Sequence, residues 1–491
     1  SGGRVEGLAV PRKAGGTAVI VVDFLNTFLW GYVLVYGLLA VGVFFTLRLG
    51  FLQFRHFGEL FRVIRSAPST DVAGITPFQA LTVSLASRVG TGNLAGVAVA
   101  LYLGGAGAIF WMWIVALVGM ATAYAESTLA QLYKVKNAEG QYRGGPAFYI
   151  ARGLKANWAA LLFSITLILS FGLVFNAVQS NSIAEAVEGA FGIPKLATGV
   201  ALAAVAGIVI FGGIPQIARV ASYVVPFMAV AYVLLALVVL ALNITEVPSM
   251  LVTIVQSALG LEAATGGVTG GLAAAMLNGV KRGLFSNEAG MGSAPNIAAC
   301  AVPQPHHPSS QGFVQSLGVF IDTIVICTVT ALVILLSGVY EPGVGVTGTE
   351  LTQAALEDHV GAFGGYFLAI AILFFAFTSI IGNYSYAENA LTYLGLAGKS
   401  GVTALRVAAL AMVVWGSLQT VGTVFSTADA SMALMATINL VAIVLLSGTV
   451  AKLTRDYFEQ RRAGREPQFH GADYPELSAE VDHDIWWREG R

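Results

Sequence analysis

Of the chain's 491 residues, 56% are hydrophobic and 11% charged, with a formal net charge of −1, whereas a soluble domain averages about 25% charged residues. That composition excludes an ordinary soluble domain and points to an all-α polytopic membrane protein with the lipid bilayer as its solvent. The net charge carries no signal for nucleic acid, which is not expected as a partner. Two cysteines in apolar surroundings, Cys300 and Cys327, read as small core residues rather than a disulfide framework or metal site.

In chain order, the opening Ser-Gly-Gly reads as an expression remnant, and no pattern of a cleaved signal peptide follows it. "GGTAVIVVDFL" (15–25) is too short to span and reads as an interfacial lead-in, so 1–25 is set apart as an N-terminal segment. An extra first span is expected at 26–48. Ten more are expected near 76–103, 107–133, 158–189, 196–212, 216–243, 270–300, 311–337, 363–396, 402–422 and 428–454, each long enough to cross about 30 Å of hydrocarbon. Arg48, Arg55, Arg62 and Arg65 precede the second span, and Lys134, Lys136, Arg143, Arg152 and Lys155 follow the third. Arg219, Lys399, Arg406 and the basic residues of 455–491 fall on the same side, which the positive-inside rule makes cytoplasmic. The opposite loops carry Glu246, Glu262, Glu341, Glu350, Glu357 and Asp358. An odd number of spans follows, in a plasma (inner) membrane, with the N-terminus outside and the C-terminus inside. The charged tail reads as a disordered or docking segment.

Two spans are interrupted in their sequence. "SRVGTGNLAG" (87–96) places Gly90, Gly92 and Gly96 where a helix needs propensity, and Thr91 and Asn93 where lipid offers no partners. "FSNEAGMGSAP" (285–295) does the same roughly 200 residues later. Each break falls in the first helix of a five-helix half, 76–243 or 270–454, and because five is odd the halves lie in opposite orientations. One such break reads as close helix packing. Two at corresponding positions of inverted halves read as a transporter's midplane site, whose half-helix N-termini attract a carboxylate and whose freed carbonyls hold a cation. No H-E-x-x-H, G-x-S-x-G or P-loop pattern is present, so no enzymatic role is expected.

At these residues the chain resembles the alanine or glycine:cation symporter family, also called the sodium:alanine symporters. The resemblance is carried by "RVGTGNLAGVAVAL", "GGAGAIFWMWIVALVGMATAYAE", "YRGGPAFYI" and "GLFSNEAGMGSAPNIA". It implies a leucine-transporter-like five-plus-five inverted repeat of the APC superfamily, preceded by one extra helix, and symport of a small neutral amino acid (alanine, glycine or glutamine) with sodium. Protons are the alternative coupling ion, and an ion channel is the competing class. The resemblance further implies substrate contacts from Gly90, Thr91, Gly92, Asn93, Gln179, Phe285, Asn287, Ser379 and Asn383. It implies sodium contacts from Ser87, Val89, Gly90, Thr378 and Ser379. One departure is Asn383, where many members carry tryptophan after the glycine of this stretch. An amide in place of that ring leaves room for a larger polar amino acid such as glutamine.

Several ionisable residues fall within or near spans: Arg88, Glu126, Lys281, Arg282, Glu288, Asp322 and Glu388. Arg88 is expected to pair with Glu126 or Glu288, and Lys281 and Arg282 to form an external gate. Asp322 or Glu288 is the candidate for proton coupling. His306 and His307 read as a solvated loop pair, and "FWMW" (110–113) as an interfacial belt.

Overall fold

The computed structural model describes residues 22–65, 71–260, 271–477 and 479–486. The opening Ser-Gly-Gly, most of the expected interfacial lead-in and Glu262 lie outside the described residues. The principal helices are α1 (Val22–Arg48), α2 (Pro77–Arg88), α3 (Gly92–Gly104), α4 (Gly107–Leu132), α5 (Asn157–Phe191), α6 (Lys195–Ile210), α7 (Gly213–Leu242) and α8 (Val247–Ala258). They continue as α9 (Gly271–Asn287), α10 (Pro295–Ala299), α11 (Ser309–Leu335), α12 (Gly348–Val360), α13 (Ala362–Tyr393), α14 (Lys399–Ser417), α15 (Val421–Leu445) and α16 (Ser447–Arg462). Among the described residues eight of them, α1, α4, α5, α7, α11, α13, α14 and α15, are long and apolar enough to cross a membrane. Helix is what such sequences form in lipid, because every backbone group must find its partner within the segment.

Both expected interruptions are present, and each has a local cause. Helix α2 opens with a capping box, in which the Thr76 hydroxyl accepts from the Gln79 amide and the Gln79 side chain accepts from Thr76 N–H, with Pro77 in the first turn. It ends at Arg88, because Val89 turns extended (φ −82°, ψ 91°) before α3 begins at Gly92. Helix α9 runs to Asn287. The chain then passes through Glu288, Gly290 and Gly292, at φ 58°, 87° and 82°, before α10. Glycine suits the last two positions, and Glu288 adopts the left-handed conformation without that freedom. Just outside the two breaks the chain pairs with itself: Ile75 N–H donates to Cys300 O (3.0 Å), and Val302 N–H to Ile75 O (2.9 Å), a parallel bridge.

Helix α9 lies tight against α4, because a β-carbon on Gly279 would sit 2.3 Å from Ala108 O and one on Gly283 2.5 Å from the Val115 side chain. Four stretches wind more widely than an α-helix: Asn26–Leu34, Gly92–Gly96, Ile168–Val174 and Phe320–Cys327. Wide turns of this kind gather at functional positions, and two of these touch each other, as described below.

Three expectations need correction, and of the two readings left open for the tail the structure shows docking. The final span is not 428–454 but α15, which begins at Val421 behind a Thr420 cap and stops at Leu446 (φ −91°, ψ 8°) before the separate helix α16. The polar stretch 423–427 belongs to the span because the Thr420 hydroxyl caps Thr423 N–H (3.3 Å) and the Thr427 hydroxyl donates back to Thr423 O (2.8 Å). His307 is not solvated: it is fully buried, with its Nε2 3.1 Å from Asp456 Oδ2. Burial lowers its pKa below the usual imidazole value, and Asp456 opposes that shift. The tail folds back, burying Phe469, Leu477, Val481, Ile485 and Trp486. Trp486 Nε1 donates to Leu132 O (3.0 Å), and the Tyr133 hydroxyl donates to Glu480 (3.1 Å). The 110–113 cluster is partly interior, since Met112 is buried and Trp113 Nε1 donates to Thr328 (2.7 Å).

Candidate functional site

The first break is held from three sides. Thr91 N–H donates to Gln179 Oε1 on α5 (3.0 Å), and Gly90 N–H donates to the Asn93 side-chain oxygen (3.0 Å). On the α13 side, Ser379 Oγ donates to Ala86 O (2.7 Å), a carbonyl in the last turn of α2, where helical partners run out. Packing at Gly90 leaves no room for a side chain: a β-carbon there would lie 2.2 Å from Ser379 Oγ and 2.8 Å from Gln179 Oε1. At Gly92 it would lie 3.1 Å from the Phe285 ring.

The two breaks are tied to each other. Asn93 Nδ2 donates to Ser286 Oγ (2.9 Å) and Asp322 O (2.9 Å) and lies 3.3 Å from Cys327 Sγ, so the wide turns at Gly92–Gly96 and Phe320–Cys327 meet at this amide. Ser87 Oγ donates toward Glu288 Oε1 (2.8 Å) and Asn383 Oδ1 (2.5 Å), and Ser293 Oγ donates to Glu288 Oε2 (2.6 Å). Glu126 braces the second break by accepting from Gly290 N–H (3.2 Å) and Asn439 Nδ2 (2.8 Å). Asn287 Oδ1 accepts from Ala289 N–H (3.0 Å).

Above this knot lies an aromatic and ionic layer. Phe285 stacks on Phe175 (centroids 4.8 Å apart) and packs tilted against Phe425 (5.3 Å). The Arg282 guanidinium sits over both Phe285 and Phe425 and bonds Asp429 Oδ2 at 2.5 Å, while Lys281 Nζ is 2.7 Å from the same oxygen. Arg282 and Asp429 are both nearly fully buried. One carboxylate is thus shared between two cations through charge-assisted contacts.

The structure therefore places Ser87, Gly90, Thr91, Gly92, Asn93, Gln179, Phe285, Ser379 and Asn383 around the two breaks. Val89 lies buried in the bend, donating its N–H to Leu85 O (2.7 Å), and Asn287 ends α9 beside it in sequence to Glu288. Thr378 differs: its hydroxyl donates to Phe375 O within its own helix (2.9 Å). Arg88 also departs from expectation. Among the described residues it makes no ion pair within 4.0 Å; it donates to Gln315 O (3.1 Å) and fits because Gly318 leaves it space. Among the described residues, the side-chain atoms around the breaks that are buried without a hydrogen-bond partner include Thr91 Oγ1, Asn287 Nδ2 and Asn383 Nδ2, together with Arg88 Nε and Nη2 and Asp322 Oδ2. Asp429, Phe175 and Phe425 were missed by the sequence reading. Asp429 was visible as a lone acid in an apolar run, and Phe175 as the residue one helical turn before Gln179.

An apolar multi-helix bundle with two interrupted helices cross-tied at a buried polar centre is the build of a multi-pass membrane protein. The chain belongs to the sodium:alanine symporter family, whose model matches residues 16–471. Among its relatives, the amino-acid carrier protein AlsT of Bacillus subtilis (strain 168) is 48% identical over 457 residues, 93% of this chain and 96% of that protein. "Probable sodium/glutamine symporter GlnT" of the same organism is 48% identical over 451 residues, 92% of this chain and 93% of its own. The sodium/alanine symporter AgcS of Methanococcus maripaludis is 40% identical over 453 residues, 90% of this chain and 98% of its own. Amino-acid transport by cation symport is the activity these relationships support.

Proposed function

We propose that this protein imports a small neutral amino acid together with sodium, by alternating access around the paired breaks. The observation that carries the reading is the set of buried polar atoms without protein partners at the breaks, Thr91 Oγ1, Asn287 Nδ2 and Asn383 Nδ2. Leaving such groups unmade costs about 1–3 kcal/mol each, which a polar ligand relieves. The eight long helices, the interrupted pairs α2–α3 and α9–α10, and α6 are read as eleven spans. They comprise an extra first helix at 26–48 and two inverted five-helix repeats, 76–243 and 270–454, in the leucine-transporter arrangement. The N-terminus then lies outside and the tail at 455–491 in the cytoplasm.

In this reading the substrate carboxylate approaches the bend at Gly90, Thr91 and Gly92 that leads into α3, taking over the Gly90 and Thr91 N–H groups that Asn93 and Gln179 hold in its absence. Asn93 holds the two breaks in register, and Asn287 borders the ligand. Phe285 roofs the pocket. Sodium sits between the end of α2 and α13, contacting Ser87, Val89, Gly90, Thr378 and Ser379, with Thr378 turning from its own helix when the ion binds. The ion's charge and the carboxylate complement each other's sites. The Nδ2 of Asn383, one turn beyond Ser379 on α13, is placed to read a side-chain oxygen, which favours glutamine over alanine or glycine.

Sodium-gradient-driven uptake of labelled alanine, glycine and glutamine into liposomes tests the function. Saturable, sodium-dependent uptake is expected. Uptake driven equally by a proton gradient would move the coupling to the Asp322 and Glu288 carboxyls, and ion flux without substrate would make the protein a channel.

A further inference from the structure

Helix α1 ends at Arg48, and the chain reverses there through Gly50 (φ 65°) and Phe51 (φ 57°) into two short helices, Leu52–Arg55 and Phe57–Arg62. This corner and helix α16 wall a cleft of about 430 Å³ whose lining includes Arg48, Arg55, His56, Arg455, Phe458 and Arg462, and no carboxylate. Of the acids beside the cleft, Glu59 is engaged by Arg62, Arg461 and the Tyr457 hydroxyl, and Glu459 is an exposed residue of α16 outside the cleft lining. Arg48, Arg55 and Arg462 donate only to the backbone carbonyls of Ser447, Gly50 and Phe458 at 3.2–3.4 Å. Among the described residues these three and Arg455 form no ion pair within 4.0 Å. The His56 ring stacks on Phe458 at 3.9 Å, and its pKa falls through burial and then through the nearby Arg55 charge, as a positive field requires.

The surroundings of the cleft are apolar and exposed. Phe51 and Phe54 present about half their surface beside the arginines, and Tyr36, Val43 and Leu47 form an exposed stripe at helical spacing leading down α1 to Arg48. Arginines at the end of an apolar span, collared by exposed rings, match the composition of a membrane interface. A site for a soluble anion has no use for such a collar.

We propose that this cleft binds the phosphate of an anionic phospholipid whose acyl chains lie along the exposed stripe of α1. The lipid joins α1 to α16, two elements otherwise linked here by the long Arg48 to Ser447 bond. A zwitterionic headgroup carries its own cation and is a poorer match for four guanidiniums without a carboxylate.

The test uses the full chain purified in phosphatidylcholine nanodiscs and titrated with phosphatidylglycerol, read as apparent melting temperature. A saturable rise is expected with phosphatidylglycerol and none with added phosphatidylcholine, inorganic phosphate or glycerol phosphate. Arg455→Gln with Arg462→Gln should weaken the apparent affinity for phosphatidylglycerol about thirtyfold, taking the usual contribution of a cation near an anionic surface. Arg219→Gln with Lys399→Gln, which removes exposed cations elsewhere, should leave it unchanged. Should the first pair fail to fold, Arg48→Gln with Arg55→Gln carries the same expectation. The proposal is overturned by an equal response to free phosphate, which makes the cleft a soluble-anion site. Equal losses in the control pair would reduce it to diffuse attraction, and the absence of any phosphatidylglycerol response would end it.

Discussion

Substitution of Gly90 by alanine isolates the close approach on which the site depends. The added β-carbon would sit 2.2 Å from Ser379 Oγ and 2.8 Å from Gln179 Oε1, about 1 Å inside normal contact for the first. Relief by rotating Ser379 sacrifices its bond to Ala86 O (2.7 Å), worth about 1 kcal/mol, and the remaining overpacking costs about 1–3 kcal/mol. Gly90→Ala should therefore destabilise the protein by about 2–4 kcal/mol and abolish sodium-dependent uptake. Thermal melts and liposome uptake of Gly90→Ala, Ser379→Ala and the double variant form a cycle. Because Ser379→Ala removes the colliding oxygen, the double variant should be more stable than the sum of the singles predicts, by more than about 0.5 kcal/mol. Additive losses, or a Gly90→Ala protein that melts and transports like the parent, would refute the packing argument.

Asp429→Asn leaves Arg282 and Lys281 buried around a neutral group and should cost about 3–5 kcal/mol of stability, measured by thermal melting, whereas Arg282→Met with Asp429→Leu should recover much of it. Asn383→Ala should reduce competition by glutamine against labelled alanine more than competition by glycine; equal changes would remove Asn383 from substrate discrimination. Lys134, buried just beyond the end of α4, has its pKa lowered by desolvation to about 7. Between that value and 10.5 the unfolded chain holds a proton the folded one lacks, so this residue makes stability rise with pH across the window. Melts of Lys134→Met should lose that contribution between pH 7 and 10, and an unchanged slope would contradict it. Trp486→Ala should release the tail to faster limited proteolysis, followed by gel and mass spectrometry.

The two breaks were legible because glycine and polar side chains inside an apolar run conflict with both helix propensity and lipid, and Gly90, Gly92, Gly290 and Gly292 all occupy bends or close contacts. What composition could not supply was three-dimensional pairing. Arg88 looked like half of an ion pair, yet it is accommodated by Gly318 and a backbone carbonyl. Glu288 bears a left-handed backbone that no sequence rule assigns to glutamate. The start of α15 was displaced because the polar residues Thr423, Ser426 and Thr427 read as loop, whereas Thr420 caps the helix at Thr423 N–H and the Thr427 hydroxyl donates to Thr423 O. The tail's apolar residues are spaced among charges, which leaves disorder and docking both open in sequence, and its contacts with Leu132 and His306 decide for docking.

The Trp486 indole caps a carbonyl at the end of α4 that lies 354 positions earlier in the chain. During synthesis that carbonyl and its neighbour Lys134 emerge long before their cover exists, and N-terminal elements assemble first. That end of the bundle is therefore closed only once residue 486 has been made, and until then Lys134 lacks the indole ring that faces it in the folded chain.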